Sequence, residues 1–329
     1  MSPGRSIVGF EDFSQDSLGD FPAKWNTNAA AEIVTVVGKQ GRWLKLTKGG
    51  VFVPELVTVL PDSFTLEFDV LVPPAFKSGA VLNASLVELA DLGQPATWQS
   101  ADNRFTFTAF PDSGPAWQTS MEPRQRGVGV AAVTTDSKQP GKNGAPLHIA
   151  VTRQGARVRV YFNEEKVGDI PRALLPAAKY NAILFYTYEV DAGSEYFLSN
   201  VRLAVGAPDT RNKLLTEGKW VTHGILFDVN SDRIRDESYG SLKEIAGVLT
   251  ENATLKVQVV GHTDADRNDA ANLDLSKRRA ASVKAALVSA FKIDGGRLDT
   301  DGKGETAPVD KNDTPAGKAN NRRVEFVKM

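Results

Sequence analysis

Two different periods run along the chain. In "SFTLEFDVLV", Phe64, Leu66, Phe68 and Val70 alternate with Ser63, Thr65, Glu67 and Asp69. A period of two predicts a strand with one side buried and the other facing solvent. "PLHIAVTRQGARVRVYFNEEKVGDI" predicts two more strands about the Gln154-Gly155 turn, with a second turn near Asn163. "AILFYTYEV" and "YFLSNVRLAV" add two further strands. Turn residues recur at short intervals up to Val205 and no long 3.6-residue period intervenes, the pattern of an all-β antiparallel sandwich over 1–205. "GAPDTRNKLLTEG" reads as a polar linker over 206–218. Beyond it the rhythm changes. "THGILFDV" predicts a short strand, "DESYGSLKEIAGVLTENA" a helix and "TLKVQVVGH" a second strand. A long helix from Asn268 to Ala290 and a closing strand in "NRRVEFVKM" complete a small α/β unit of βαβαβ type over 219–329.

A length of 329 residues agrees with two domains. The net charge of −1 argues against a chain built mainly to bind nucleic acid or an anionic membrane. With no cysteine there is no disulfide, thiolate metal site or Cys nucleophile. No run of 18 apolar residues exists to span a bilayer as a helix. The start, "MSPGRSIVGFEDF", has no apolar h-region, which leaves a cytosolic protein or a mature chain whose signal peptide has been removed.

One stretch concentrates chemistry: "VVGHTDADRNDAANLDLSKRRAASVKAAL", Val259 to Leu287. Asp264, Asp266 and Asn268 begin like a calcium loop, but Asp269 stands where the loop needs Gly and Leu275 where it needs a bidentate Glu. Zinc is disfavoured too, because His262 is joined only by His148 and His223, which sit on predicted strands without ligand spacing. Lys277, Arg278, Arg279 and Arg322-Arg323 are short basic runs without interleaved aromatics, thin evidence for a nucleic-acid site, and Lys277 and Arg278 read better as a solvated helix face.

Arg279 stands apart. Helical steps from Asn272 give Ser276, Arg279, Val283, Leu287 and Ala290, so the apolar stripe of the helix continues as polar groups at its N-terminal end. Inward polar groups need partners or a pocket. Two readings follow. Asp264, just past the strand, could bridge Arg279 and brace strand to helix. Alternatively the two are a split pair, with a carboxylate awaiting an ammonium and a guanidinium awaiting a carboxylate, at a strand end where ligands commonly dock.

"GHTDADRNDAANLDLSKRRAASVKAAL", "GKGETAPV" and "NDTPAGKANNRRVEF", with "ILFDVNSDRI" upstream, resemble the C-terminal peptidoglycan-binding domain of OmpA-like proteins. The resemblance implies a non-catalytic envelope protein, periplasmic or outer-membrane associated in a Gram-negative bacterium. Its ligand would be the diaminopimelate residue of the peptidoglycan stem. It places the ammonium-binding Asp on Asp264 of "GHTD", beside Thr263, and the carboxylate-binding Arg on Arg279. It places pocket-lining residues on Asn272 and Leu275, and a bordering strand end on Phe227 and Asp228. Arg322 and Arg323 match the closing pair, implied to be structural or in contact with glycan. Arg267 departs from the pattern, since the family commonly has Gly there. An extra cation could reshape the loop, fill the pocket or add a contact.

The first half carries weaker signals. "LEFDV" holds two acids of the E-x-D-x-E pattern of laminarinase-type glycosidases but lacks the third, so Glu67 and Asp69 read best as solvent-facing acids. Trp25, Trp98 and Trp117 read as core more readily than as sugar platforms. "FEDFSQDSLGDFPAKWNT", "GRWLKL" and "LSNVRLA" resemble a laminin-G or concanavalin-type jelly roll, which implies a glycan- or protein-binding module. Calcium there is conceivable for such folds but has no supporting motif, and no cofactor is called for. The competing class is a wall-anchored glycosidase with its active site in the sandwich.

Overall fold

A computed structural model describes residues 6–77, 79–91, 94, 99, 101–111, 116–130, 132–141, 144–188, 190–205, 214–215 and 217–329. Trp98, and residues 206–213 and 216 of the expected linker, lie outside the described residues. The chain splits into two compact units: Glu11–Leu203, and Met1–Phe10 together with Ala204–Met329. Among the described residues, no helix is long and apolar enough to cross a membrane.

The β unit is built from two large antiparallel sheets. One runs Glu165–Ile170, Arg157–Phe162, Leu147–Gln154, Ser63–Leu71, Tyr196–Val205, Trp43–Leu46, Ala31–Val34. The other runs Val128–Gly129, Ala116–Gln125, Arg104–Pro111, Val81–Val87, Ala182–Tyr188, Gly50–Pro54, Trp25–Thr27. Their inner faces meet through aromatic rings. Phe68 of the first sheet stands 5.0 Å, edge-on, from Phe185 and 6.3 Å from Phe107 of the second. Trp25 and Trp117 are buried in this unit. The two expected turns fall where residues with positive φ occur, Gly155 at 59° and Asn163 at 52°.

The outward side of Ser63–Leu71 is not what the alternation predicts. Thr65, Glu67 and Asp69 are only 3%, 4% and 2% exposed. Glu67 accepts from Arg202 Nε (3.0 Å) and Nη2 (2.6 Å), and its other oxygen lies 3.4 Å from His148 Nε2. Asp69 holds His148 Nδ1 at 2.7 Å and accepts from Asn200 Nδ2 at 2.6 Å. A period of two assigns residues to faces but says nothing about what closes over a face. Here the strand register sets His148 directly opposite Asp69, and Tyr196–Val205 on the other flank supplies Arg202 and Asn200. Buried charges survive because they are paired and hydrogen-bonded. Burial disfavours the Glu67 carboxylate, yet Arg202 and His148 overcome it and bring its pKa down to about 2. Burial likewise disfavours imidazolium, yet the bonds to Asp69 and Glu67 raise His148 to about 9.

The other unit has a four-stranded sheet in the order Lys219–Thr222, Val324–Lys328, Val257–His262, Leu298–Gly304. Val257–His262 and Leu298–Gly304 are parallel; the remaining pairings are antiparallel. Helices Tyr239–Glu251 and Asp269–Phe291 pack on it around Ile245, Leu249, Val257, Val259, Val283, Leu287 and Phe326. Three expectations need correction. The first strand is Lys219–Thr222, where Trp220 stacks on Phe326 at 5.1 Å; "GILFDV" is loop, apart from one bridge between Phe227 and Ile234. Ile225 still joins the core, so an apolar run is buried without being a strand. Leu298–Gly304 and the short helix Pro315–Asn321 extend the βαβαβ order. The strand has one large apolar residue in "LDTDGKG", too little for a period to register.

The long helix approaches the sheet at backbone distance. A Cβ on Gly261 would lie 2.2 Å from the Ser276 carbonyl oxygen, and one on Gly302 would lie 2.4 Å from Lys277 N. Ser276 is fully buried at this crossing; its hydroxyl donates to Leu273 O (2.8 Å) and accepts from Gly304 N (2.9 Å). The inward stripe then continues through Val283 to Leu287, while Ala290 is exposed, so the stripe ends one step earlier than its spacing predicts.

Two predictions arise here. Gly261→Ala should cost about 1–3 kcal/mol in denaturant unfolding because the contacted atoms are backbone. Gly247→Ala, in helix Tyr239–Glu251 with open space around its Cβ, should be neutral or gain up to about 1 kcal/mol. Equal effects would show that the crossing is not tight. In the β unit, His148 has a folded pKa raised from 6.5 to about 9. Its contribution is complete below pH 6.5 and lost as pH rises through 9; that of Glu67 is complete above pH 4.5 and lost as pH falls towards 2. Unfolding free energy should therefore decline between pH 6.5 and 9, and His148→Gln should flatten that decline. Arg202→Met, which strands Glu67, should cost about 3–5 kcal/mol.

Candidate ligand-binding site

Strand Val257–His262 leads into Thr263 and Asp264 just past its C-terminal end, and the helix starts five residues later, capped by Asn268, whose Oδ1 accepts from Ala271 N at 2.9 Å. Thr263 N donates to Gly304 O at 2.9 Å, tying the turn to the neighbouring strand. Asn272, one turn into the helix and buried, donates through Nδ2 to the carbonyls of Asp264 (3.1 Å) and Arg267 (3.2 Å) and to the Glu305 carboxylate. One inward amide thus fixes the loop that carries Asp264.

Asp264 and Arg279 do not form a salt bridge. Asp264 Oδ2 instead meets Arg322 Nη1 at 2.6 Å. Arg279 lies over the Phe227 ring, 4.7 Å from its centroid, and donates from Nε to Ser231 O (2.9 Å) and from Nη2 to Asp228 O (3.5 Å). Among the described residues no carboxylate pairs with it. Burial pulls its pKa down to about 10, the nearby Arg322, Arg267 and Arg278 cations push the same way, and Asp264 opposes them. The guanidinium is therefore charged at neutral pH and half-buried, and among the described residues it is held by uncharged acceptors. Such a group binds an incoming carboxylate with little reorganisation.

The other expected residues divide. Phe227 and Asp228 reach Arg279 from a loop, through a ring face and a backbone carbonyl. Thr263 and Leu275 are buried nearby, Thr263 Oγ1 without a partner among the described residues. Arg267 is exposed and makes no side-chain hydrogen bond among the described residues. Arg323 is turned inward: it pairs with Glu325 at 2.8 Å and donates to the carbonyls of Asn321 and Ala307. Glu325 also receives Lys219 at 2.7 Å and faces His262 at 3.5 Å. Burial raises its pKa, but His262, Lys219 and Arg323 outweigh that and bring it to about 2. The three oxygen donors of the apparent calcium loop are engaged elsewhere: Asp264 by Arg322, Asp266 by Lys318 at 2.6 Å, and Asn268 by its own helix.

Sequence reasoning missed Glu305 and Asn312. Asn312 Oδ1 accepts from Ala265 N (3.2 Å) and Asn321 Nδ2 (3.0 Å), so the segment after Gly304 braces the Asp264 loop. Both residues lie inside the quoted "GKGETAPV" and "NDTPAGK" stretches, where no spacing rule links them to residues about 40 positions earlier.

Comparisons with known proteins concern this unit. Residues 226–322 match the OmpA family model. The chain is similar to outer membrane porin F of Pseudomonas aeruginosa, 39% identical over 101 residues that cover 31% of this chain and 29% of the porin. It is similar to the probable lipoprotein YiaD of Escherichia coli, 37% identical over 105 residues covering 32% of this chain and 48% of that protein. The chain thus spans less than half the length of either relative. Among solved structures, the peptidoglycan-associated lipoprotein from Burkholderia pseudomallei is 27% identical with a TM-score of 0.30, covering 32% of this chain and 88% of that one. The cell wall anchor of the T6SS from Pseudomonas aeruginosa is 28% identical with a TM-score of 0.30, covering 36% of this chain and 92% of that one. Residues 226–322 of this chain are an OmpA-family domain.

Proposed function

We propose that this domain holds the peptide stem of peptidoglycan by the zwitterion of its diaminopimelate residue, and so anchors the chain to the cell wall of a Gram-negative envelope, in the periplasm or at the outer membrane. The observation that carries the reading is Arg279: a half-buried cation, positioned by Ser231 O, Asp228 O and the Phe227 ring, with no carboxylate partner among the described residues. It takes the ligand carboxylate, Asp264 takes the ammonium, and Asn272, Leu275, Thr263, Phe227 and Asp228 shape the space between. Charge-assisted bonds of about 1.5–3 kcal/mol each make one stem a weak ligand, and retention comes from many equivalent stems.

We read the β unit as a jelly-roll-like module that binds glycan or protein, and the whole chain as non-catalytic. Support for the second point is that Glu67 and Asp69, the carboxylates a glycosidase would need, are buried and paired with Arg202 and His148.

Calorimetric titration of the full chain with a diaminopimelate-containing stem tripeptide tests the site. Wild type should bind saturably, and Arg279→Ala should lose at least 10-fold in affinity while keeping its circular dichroism, in line with one lost charge-assisted pair. Absence of saturable binding by folded wild type at millimolar peptide would remove the anchoring reading.

A further inference from the structure

We propose that Arg322 determines which ligands Asp264 accepts: it occupies the Asp264 carboxylate when the site is empty, and yields it only to an ammonium whose ligand also supplies a carboxylate. The inference rests on the zwitterion reading above and goes beyond it, since that reading gives Arg322 no role in recognition.

Three observations carry it. First, the Asp264–Arg322 pair is close, at 2.6 Å, yet stands at the surface, with side-chain exposures of 14% and 34%. Exchange at such a pair needs no opening of the core, whereas Arg323 next to it is buried and held by Glu325, Asn321 O and Ala307 O. An ammonium that reaches Asp264 must compete with a guanidinium already there.

Second, Arg322 has a place to stay once displaced. Its guanidinium lies 5.5 Å from the centroid of the Phe10 ring, an attraction that survives loss of the carboxylate. Phe10 is itself positioned. The N–H of Ile7 donates to Asn320 Oδ1 at 2.7 Å, Asn320 Nδ2 donates back to Ile7 O at 2.9 Å, and Ile7 buries its side chain against Ala204 and Ala319. Arg322 N in turn donates to Lys318 O at 3.0 Å, closing the short helix Pro315–Asn321. The backbone on both sides of the cation is thus fixed, and only its side chain has to move.

Third, Arg279 stands among other cations. Arg322, Arg267 and Arg278 all act on it as like charges, and Asp264 opposes them. Of the charges acting on Arg279, that of Arg322 is the strongest, ahead of Asp264. An amine without a carboxylate would displace Arg322 and leave two neighbouring guanidinia with still less compensation. A zwitterion adds no net charge, and its carboxylate lies between Arg279 and the released Arg322. Arg322 therefore penalises simple cations and spares zwitterions.

Two stem tripeptides that differ only in the third residue isolate this effect. With diaminopimelate the side chain ends in ammonium plus carboxylate; with lysine it ends in ammonium alone. In the full-length protein, wild type should favour the diaminopimelate peptide strongly. Arg322→Gln should bind the lysine peptide at least fivefold more tightly than wild type does, so that the ratio of the two Kd values contracts by that factor or more, and Arg322→Lys should keep the discrimination. Equal weakening of both peptides by Arg322→Gln, or an unchanged lysine-peptide affinity, overturns the proposal, since Arg322 would then be a direct contact or a brace. Wild type itself supplies a test that needs no variant: saturation with the diaminopimelate peptide should shift the Arg322 Nε–Hε resonance together with that of Arg279. A stationary Arg322 signal beside a shifting Arg279 signal sinks the exchange while leaving the zwitterion site intact, and no shift of either sinks both.

Discussion

The site depends on how closely one helix lies against two strands. Gly261 and Gly302 leave the backbone of Asp269–Phe291 touching the sheet at Ser276 and Lys277, where any Cβ would collide with main-chain atoms. Packing of this kind is intolerant of small changes because interiors are as dense as crystals. It fixes the distance from the end of Val257–His262, which carries Asp264, to the point about three turns into the helix that carries Arg279. It also brings Asn272 within reach of the carbonyls of the connecting loop. Two candidate ligand-binding side chains 15 positions apart are thereby set by backbone contact and not by any bond between themselves.

Buried charge is handled in two ways, and the difference separates the braces from the candidate site. Around Glu67 and Asp69 in one unit, and around Glu325 in the other, each carboxylate faces cations and hydrogen-bond donors at close range. A pairing so complete has nothing left for a ligand, and its removal strands a charge in the interior. Around Arg279 the pairing is incomplete. A cation half-withdrawn from water is held by two carbonyls and a ring, with further cations nearby. Incompleteness at the edge of an otherwise saturated structure is what distinguishes a binding group from a brace.

Much of this was legible in the sequence, for reasons that can be stated. Strands such as Ser63–Leu71 and helix Asp269–Phe291 have periods strong enough to place them within a residue or two. Inward polar positions on that helix single out Asn272, Ser276 and Arg279 from spacing alone. Pairing between residues far apart was not legible. Asp264 is bound by Arg322, 58 positions away, and Glu67 by Arg202, 135 positions away. Nothing in local spacing reports such partners, which is why Glu67 and Asp69 read as solvent-facing and why spacing suggests Asp264 as a partner for Arg279. Leu298–Gly304 was invisible for a related reason: its pairing with Val257–His262, not its own composition, makes it a strand.

A carboxylate already held by an arginine is a poor trap for an isolated amine, and that bears on what a wall anchor needs. Releasing Arg322 from Asp264 offsets part of what the ligand's ammonium gains there, so the net strength of one contact stays small. Weak single contacts that exchange quickly still hold a protein when the ligand recurs at high local density, because rebinding outruns escape. The same offset excludes the lysine side chains that surround any protein in the envelope, since these bring no carboxylate to settle between Arg279 and the freed Arg322. On the proposed reading, low affinity and selectivity thus have one origin, an internal cation that must be displaced and then compensated.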